Sequence, residues 1–144
     1  MRSGNLSAVT NAKSEPIEAV LFDWGGTLAT WHTIDLYDVW RSVAALIDGA
    51  VYTSEVPWTK PHPEAFLAAM RAVGVTEPAR CLFVGDRLFD DVWGAQNVGM
   101  RAVHIPHSAI PANQIGHTVG EPDATIQRLS ELPEIIDGWN KTAA

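Results

Sequence analysis

An apolar segment that ends in a carboxylate and two glycines, residues 17 to 28 (IEAVLFDWGGTL), constrains this chain more than any other. Branched apolar residues precede Asp23, and Gly25 and Gly26 then interrupt them, which is typical of a buried parallel strand that runs into a loop. Open α/β sheets bind ligands outside the carboxyl ends of their strands, so Asp23 is predicted to face such a crevice, where the glycines let backbone approach a ligand. An ordinary turn uses the same residue types, and both interpretations stay open for this segment alone.

A second acidic strand end lies between residues 81 and 100 (CLFVGDRLFDDVWGAQNVGM). The apolar run at its start ends at Asp86, and a helical pattern that includes Asp90 and Asp91 follows. Two predicted strands therefore end in an acidic residue, one in Asp23 and the other in Asp86. In a parallel sheet we expect these acids to converge at one rim.

Lys60 lies between the two acidic runs, in the segment TKPHPEAF. Pro61 disfavours a helix at Lys60, and a helix can begin near Pro63. Carboxylate oxygens suit a hard divalent cation, and a lysine balances the negative charge of a phosphoryl group. The residues therefore predict a site for a divalent cation and a phosphoryl group.

Composition and charge limit the class of protein. At 144 residues, 47% of them hydrophobic, the chain is long enough for one domain with a buried core. A net charge of −7 argues against nucleic acid or an anionic membrane as the main partner. The single cysteine excludes an internal disulfide, and we find neither a signal peptide nor an apolar run of the roughly 18 residues that a membrane span needs. A cytoplasmic protein is predicted.

Strand and helix patterns alternate along the chain, which predicts an α/β fold: a three-layer, Rossmann-like, mostly parallel sheet with helices on both faces. Residues 1–15 are predicted to form a flexible arm and residues 16–140 a single core domain. Leu46 is expected to lie alongside the apolar face of the first helix. Strands are predicted at about 17–23, 50–53, 81–84 and 101–105, helices at about 35–48, 62–74, 89–98 and 123–136, and a long loop at 106–122.

The motifs DWGGTL, KPHPEAF and VGDRLFDDVWGAQNVGM, in this order, resemble those of the haloacid dehalogenase (HAD) superfamily of phosphohydrolases, and the resemblance runs from residue 17 to 139. The superfamily's first motif is a strand ending in D-x-D-G-T, its third a lysine before proline, and its fourth G-D-x-x-x-x-D followed by G-A-x-x-A-G-M. The fourth is the specific one, because a glycine, two spaced aspartates and the tail coincide. The resemblance implies a Mg²⁺-dependent hydrolase that cleaves a small phosphate monoester through an aspartyl-phosphate intermediate.

The same resemblance implies a role for each matching residue. Asp23 would be the nucleophile, and Lys60 would stabilise charge on the nucleophile and the phosphoryl group. Asp90 is interpreted as a solvated acid of the adjacent helix. The substrate would be held by Gly26, Thr27 and Lys60, and the Mg²⁺ by Asp23, the main-chain carbonyl of Gly25, Asp86 and Asp91.

The chain departs from the superfamily pattern in three ways. Gly25 replaces the second aspartate, the general acid of phosphatases, and without it a factor of roughly 10² to 10⁴ in rate is at risk. The second motif, a Ser or Thr at a strand end, is missing, and Thr53 and Ser54 are poor substitutes. Only 36 residues separate Asp23 from Lys60, whereas relatives usually insert a helical cap there.

These departures leave a rival interpretation open: a catalytically degenerate member that binds or oligomerises without turnover. A dehalogenase is the third alternative. Trp24 and Trp58 flank the predicted site, where they could line a substrate entrance or form an apolar patch that a cap or a second copy of the chain would cover. His62 and His104 are interpreted as structural, whereas His32 could replace the missing acid.

Overall fold

The computed structural model of the protein describes residues 15–28, 44–52, 55–106 and 121–143. Within these ranges, four parallel strands form one sheet in sequence order: β1 (Ala19–Phe22), β2 (Cys81–Gly85), β3 (Arg101–His104) and β4 (Ala124–Thr125). The longer helical elements are α1 (Pro63–Ala72), a π-helix (Leu88–Trp93), α2 (Gly94–Asn97) and α3 (Leu132–Ala143). Short 3-10 turns lie at Ala44–Leu46, Pro78–Arg80 and Leu129–Glu131.

Strand β2 lies between two apolar layers. All five of its residues are buried, and their side chains alternate, so that Phe83 faces one layer and Val84 the other. The first layer is completed by Phe66 of α1 and Ala95 of α2, and the second by Leu132 of α3. Helices therefore cover both faces of a parallel sheet. The predicted three-layer α/β fold is confirmed.

Helix α1 begins and ends as its sequence predicts. The His62 side chain accepts a hydrogen bond from the Glu64 N–H, and Pro63 fills the first helical position, where a backbone N–H has no helical partner. After the helix, Gly74 adopts a φ of +74°, in the left-handed region that favours glycine. Phe66 is buried, and it fixes α1 against the sheet through an edge-to-face contact with Phe83.

The helix predicted over 123–136 is wrong in its first half. This part forms β4 at the edge of the sheet, and α3 begins only at Leu132. The Asp123 carboxylate accepts the Ala102 N–H at 2.9 Å, which holds the start of β4 against β3. Ile126 follows this edge strand and is buried in the second apolar layer, although its spacing from neighbouring apolar residues suggested a helix.

The segment before α1 also differs from prediction. The helix predicted over 35–48 falls mostly in residues 29–43, which lie outside the described residues. Leu46 is described and is 81% exposed, so it packs on no apolar face there. The strand predicted over 50–53 is wrong for residues 50–52, which are not β; two of these three are exposed and lack the burial of a central strand.

Two predictions concern the ends of the chain and the membrane. Of the predicted arm over residues 1–15, only Glu15 is described, and its carboxylate lies 3.4 Å from the Arg80 guanidinium. Within the described ranges, none of the helices is both long and apolar enough to cross a membrane.

Candidate active site

Asp23 follows β1 directly and remains attached to the sheet. Its N–H donates to the Val84 carbonyl at 2.9 Å, so the pairing of β1 with β2 continues one residue beyond β1. The chain then turns, with Gly26 at a φ of +86°, a conformation that side chains disfavour. This turn brings the buried Thr27 hydroxyl to 3.4 Å from Asp23 Oδ2. The Asp23 carboxylate is thereby held at the carboxyl end of the sheet.

Asp86 and Asp91 come from the end of β2 and from the π-helix that follows. They are 6% and 1% exposed. The Arg87 carbonyl accepts the N–H groups of both Asp91 and Val92, each at 3.1 Å. The bond from Asp91 spans four residues, as in an α-helix, whereas the bond from Val92 spans five and is of the wider kind that defines a π-helical turn. The Arg87 N–H donates in return to Asp91 Oδ2 at 3.0 Å. These bonds fix the Asp91 side chain over the end of β2.

Of two neighbours of these acids, Asp90 differs from expectation, whereas His104 is structural, as predicted. Asp90 is largely buried and lies 3.2 Å from the Arg87 guanidinium, three residues earlier on the same helical face, so its interpretation as a solvated acid is wrong. His104, at the end of β3, lies with Nε2 at 3.1 Å from the Asp86 carbonyl; a carbonyl oxygen only accepts, so Nε2 donates. His104 therefore fixes the backbone of Asp86, which its place in a strand pattern did not reveal.

Lys60 joins the acids of the two strand ends. Its Nζ donates to Asp23 Oδ1 and to Asp91 Oδ1, the latter at 2.6 Å, and lies 5.4 Å from the centre of the Phe83 ring. The Lys60 side chain is 25% exposed and that of Asp23 17%. Burial alone would lower the pKa of Lys60, but the negative charges of Asp91 and Asp23 outweigh it and raise that pKa. Lys60 is therefore a fixed positive charge at neutral pH.

The buried carboxylate of Asp91 is hard to ionise. Burial raises the pKa of Asp91 from its usual 3.8 to about 6; the charge of Lys60 opposes this shift and that of Asp23 adds to it. The Arg87 N–H also favours the ionised form by donating to it. A carboxylate kept in such surroundings is stabilised by a bound cation.

The three carboxylates form a cluster that fits a divalent cation. One oxygen from each of Asp23, Asp86 and Asp91 lies within 4.8 Å of the others. Carboxylate oxygens are the ligands that hard cations such as Mg²⁺ prefer. Two of these acids are buried, where several negative charges are unfavourable unless a cation offsets them. The structure thus brings the three predicted carboxylate ligands together beside Lys60.

The residues around Lys60 include an exposed aromatic surface. The rings of Trp58 and His62 stack, with 4.2 Å between their centres and 9° between their planes. Trp58 is 46% exposed, whereas Trp24, next to Asp23, is half-buried. Both interpretations of these tryptophans, a substrate entrance or a covered apolar patch, stay predictions.

The family to which the chain belongs follows from its central and C-terminal parts. Residues 57–132, just over half of the chain, match the model of the family described as HAD-hydrolase-like. The chain belongs to the HAD-like hydrolases. The resemblance predicted from the motifs is therefore confirmed. The match includes Lys60, Asp86 and Asp91, and Asp23 precedes it.

Known relatives of this HAD-like protein include phosphatases. It is 35% identical over 81 residues to the glyceraldehyde 3-phosphate phosphatase of Pyrococcus furiosus. The matched segment covers 56% of this chain and 33% of the relative. The chain is 32% identical over 77 residues to the phospholysine phosphohistidine inorganic pyrophosphate phosphatase of Mus musculus, covering 54% and 28%. A solved HAD phosphatase from Thermococcus onnurineus matches with a TM-score of 0.56 at 32% identity, over 68% of this chain and 42% of that one. The chain spans about a third of the length of these two curated relatives.

Gly25 is one of the three positions or segments at which the sequence predicts a departure from the superfamily's motifs. It is half-buried, lies two residues after Asp23 and offers only main-chain groups. Thr53 and Ser54, the weak candidates for the second motif, lie outside the described residues, as does His32. The site therefore combines three acids and a lysine with a glycine two residues after Asp23. That this glycine replaces a general acid stays a prediction.

Proposed function

We propose that this HAD-like protein is a Mg²⁺-dependent hydrolase of phosphate monoesters in which Asp23 is the nucleophile. The observation that carries this proposal is the convergence of the Asp23, Asp86 and Asp91 oxygens within 4.8 Å, with the Lys60 ammonium bound to two of these acids. The names of the matched relatives, which are phosphatases, support the same reaction class.

The cation would be held by the three carboxylates and by the main-chain carbonyl of Gly25. When bound, Mg²⁺ supplies positive charge that neutralises phosphoryl oxygens and so lets an anion approach phosphorus. Asp86 and Asp91, both buried, would act only as ligands. Asp23 is more exposed, so a substrate can reach its carboxylate.

In the proposed reaction a carboxylate oxygen of Asp23 forms a bond to phosphorus. The bond from phosphorus to the ester oxygen breaks, and its electron pair leaves with the alcohol or phenol as an oxyanion. Water then attacks the phosphorus of the aspartyl-phosphate, which releases inorganic phosphate and restores the Asp23 carboxylate. Lys60 would bind the developing negative charge, while the Gly26 backbone and the Thr27 hydroxyl would hold the phosphoryl group and the loop around it.

The glycine at position 25 limits the substrates that this site can cleave quickly. A leaving group that needs a proton receives none from residue 25, and the loss of a positioned general acid costs roughly 10² to 10⁴ in rate. An aryl phosphate leaves as a stable phenolate and needs the proton least. We therefore expect aryl phosphates to be hydrolysed faster than alkyl phosphates.

A single assay tests the proposal and its rival. Hydrolysis of 4-nitrophenyl phosphate is measured with Mg²⁺ and with EDTA for the wild type, Asp23→Asn and Gly25→Asp. We expect weak activity in the wild type, none in Asp23→Asn, and higher activity in Gly25→Asp because this change restores the acid. If the wild type and Asp23→Asn are equally inert while Mg²⁺ still raises the Tm, the chain is a metal-binding module without turnover.

The proposal extends to the organisation of the chain. The short interval between Asp23 and Lys60 supports a single core domain over residues 16–140 without a sizeable cap. Such a site is open to a small phosphorylated molecule. A homo-oligomer that covers the exposed Trp58, and a cytoplasmic location, stay predictions.

A further inference from the structure

Gly85, the last residue of β2, lies against the side chain of Asp91. A Cβ added at Gly85 would be 2.4 Å from three atoms of Asp91: Cβ, Cγ and Oδ2. Gly85 does not need glycine for its backbone conformation, because its φ is not positive. Glycine is therefore needed at this position because it leaves room for the Asp91 side chain, and not because of its conformational freedom.

Neither the Gly85 backbone nor the Asp91 side chain can easily move away from the other. On the strand side, Gly85 pairs in register with His104, and its carbonyl accepts the Ile105 N–H at 3.0 Å. On the other side, rotating the Asp91 side chain does not help, since its Cβ is itself one of the atoms that would clash. A methyl group at position 85 would have to displace the backbone of the π-helix.

Such a displacement would disturb a carboxylate whose oxygens are both in use. Asp91 Oδ1 accepts the Lys60 ammonium at 2.6 Å, and Oδ2 accepts the Arg87 N–H at 3.0 Å. Ordinary carbon contacts begin near 3.4 Å, so Asp91 would have to move by about 1 Å, enough to disrupt a preorganised site. The same movement would pull Asp91 away from the cluster that it forms with the other two acids.

We infer that Gly85 is a positioning residue: the space left by its missing side chain lets the Asp91 carboxylate reach Lys60 and join the metal-binding cluster. This inference rests on the proposed Mg²⁺ site. It assigns to the glycine of the VGDRLFDD segment a steric role that acts through Asp91 and involves no contact with substrate.

The test compares three alanine variants of the full chain. Gly85→Ala makes the contact described above. Gly94→Ala is the matched control, because its added Cβ would be 2.6 Å from the buried Phe66 ring and so overpacks the same core at another point. Gly138→Ala lies in α3, where a Cβ meets nothing within 4 Å. The Mg²⁺ affinity is measured by isothermal titration calorimetry, and the urea midpoint is measured in EDTA.

We expect Gly85→Ala and Gly94→Ala both to lower the urea midpoint, and Gly85→Ala alone to weaken Mg²⁺ binding, by about 10- to 100-fold. Gly138→Ala should lower neither quantity. Wild-type Mg²⁺ affinity in Gly85→Ala, or equal weakening in Gly94→Ala, would overturn the inference and leave the proposed function standing. A wild-type chain that binds no Mg²⁺ would overturn both.

A double variant decides the question if Gly85→Ala does not fold. Asp91→Gly removes all three atoms that the new methyl group would strike, so adding Gly85→Ala to it should cost little further stability. Folding of Asp91→Gly alone, followed by loss of folding in the double variant, would show that Gly85 serves something other than Asp91.

Discussion

The ionisation of Asp91 should make the metal-free protein less stable at neutral pH than in mild acid. The Asp91 side chain is 1% exposed, and burial, together with the charge of Asp23, raises its pKa from 3.8 to about 6 in spite of Lys60. The folded chain therefore binds this proton more tightly than the unfolded chain does. The stabilising contribution is complete below pH 3.8 and is lost as the pH rises through about 6. At about 1.36 kcal/mol for each pKa unit, the loss is about 3 kcal/mol.

Urea unfolding of the wild type and of Asp91→Asn, in EDTA and between pH 4 and 7.5, isolates this contribution from those of other acids. Asparagine keeps the shape of the side chain but cannot ionise. We expect the free energy of unfolding of Asp91→Asn, relative to that of the wild type, to rise by about 2.4 kcal/mol across this range, because the unfolded carboxyl is already partly ionised at pH 4. Asp137→Asn, at an exposed position of α3, controls for the removal of a negative charge. A pH-independent difference for Asp91→Asn, or a fall with rising pH, would refute the reasoning.

Three further predictions test the fold. Phe66→Ala should lower the free energy of unfolding by about 3 to 5 kcal/mol in a urea titration, because the ring is fully buried against Phe83; a loss below 1 kcal/mol would contradict this. Gly74→Ala should cost about 1 kcal/mol through its φ of +74° alone, since an added Cβ meets nothing within 4 Å, and Gly74→Asn should cost less. Cys81 is fully buried, and burial and the charge of Glu18 raise its pKa to about 11, so its thiol should react with iodoacetamide in urea but hardly in the native protein at pH 8.

The strand ends that carry the acids could be predicted because β1 and β2 are buried in a parallel sheet. Such strands consist of continuous apolar residues, and the first polar residue after each marks its end. Asp23 and Asp86 were located in this way. Strand β4 was not, since two residues at the edge of a sheet are too short to show a period, and its position depends on the bond from the Ala102 N–H to Asp123.

The geometry after β2 was only partly predictable for a different reason. Apolar spacing indicates a helix over 89–98, but it does not distinguish the bonds of an α-helix from those of a π-helix. The π-helical turn is nevertheless what carries Asp91, and the Arg87 N–H is what fixes its carboxylate. The role of His104 was missed because a polar residue at a strand end is common, and its partner is a main-chain carbonyl that no sequence pattern marks.

The arrangement of the strands also explains why a short interval before Lys60 does not prevent the acids from converging. Phe22 pairs with Val84 in register, so the residues that follow these two strands meet whatever the length of chain between them. Lys60 reaches the same place from the start of α1, which packs on β2 through Phe66. The length of this interval therefore does not decide whether the acids converge. Asp86 and Asp91, which need no access to substrate, are buried, and Asp23, the proposed nucleophile, is the one carboxylate of the three that is partly exposed.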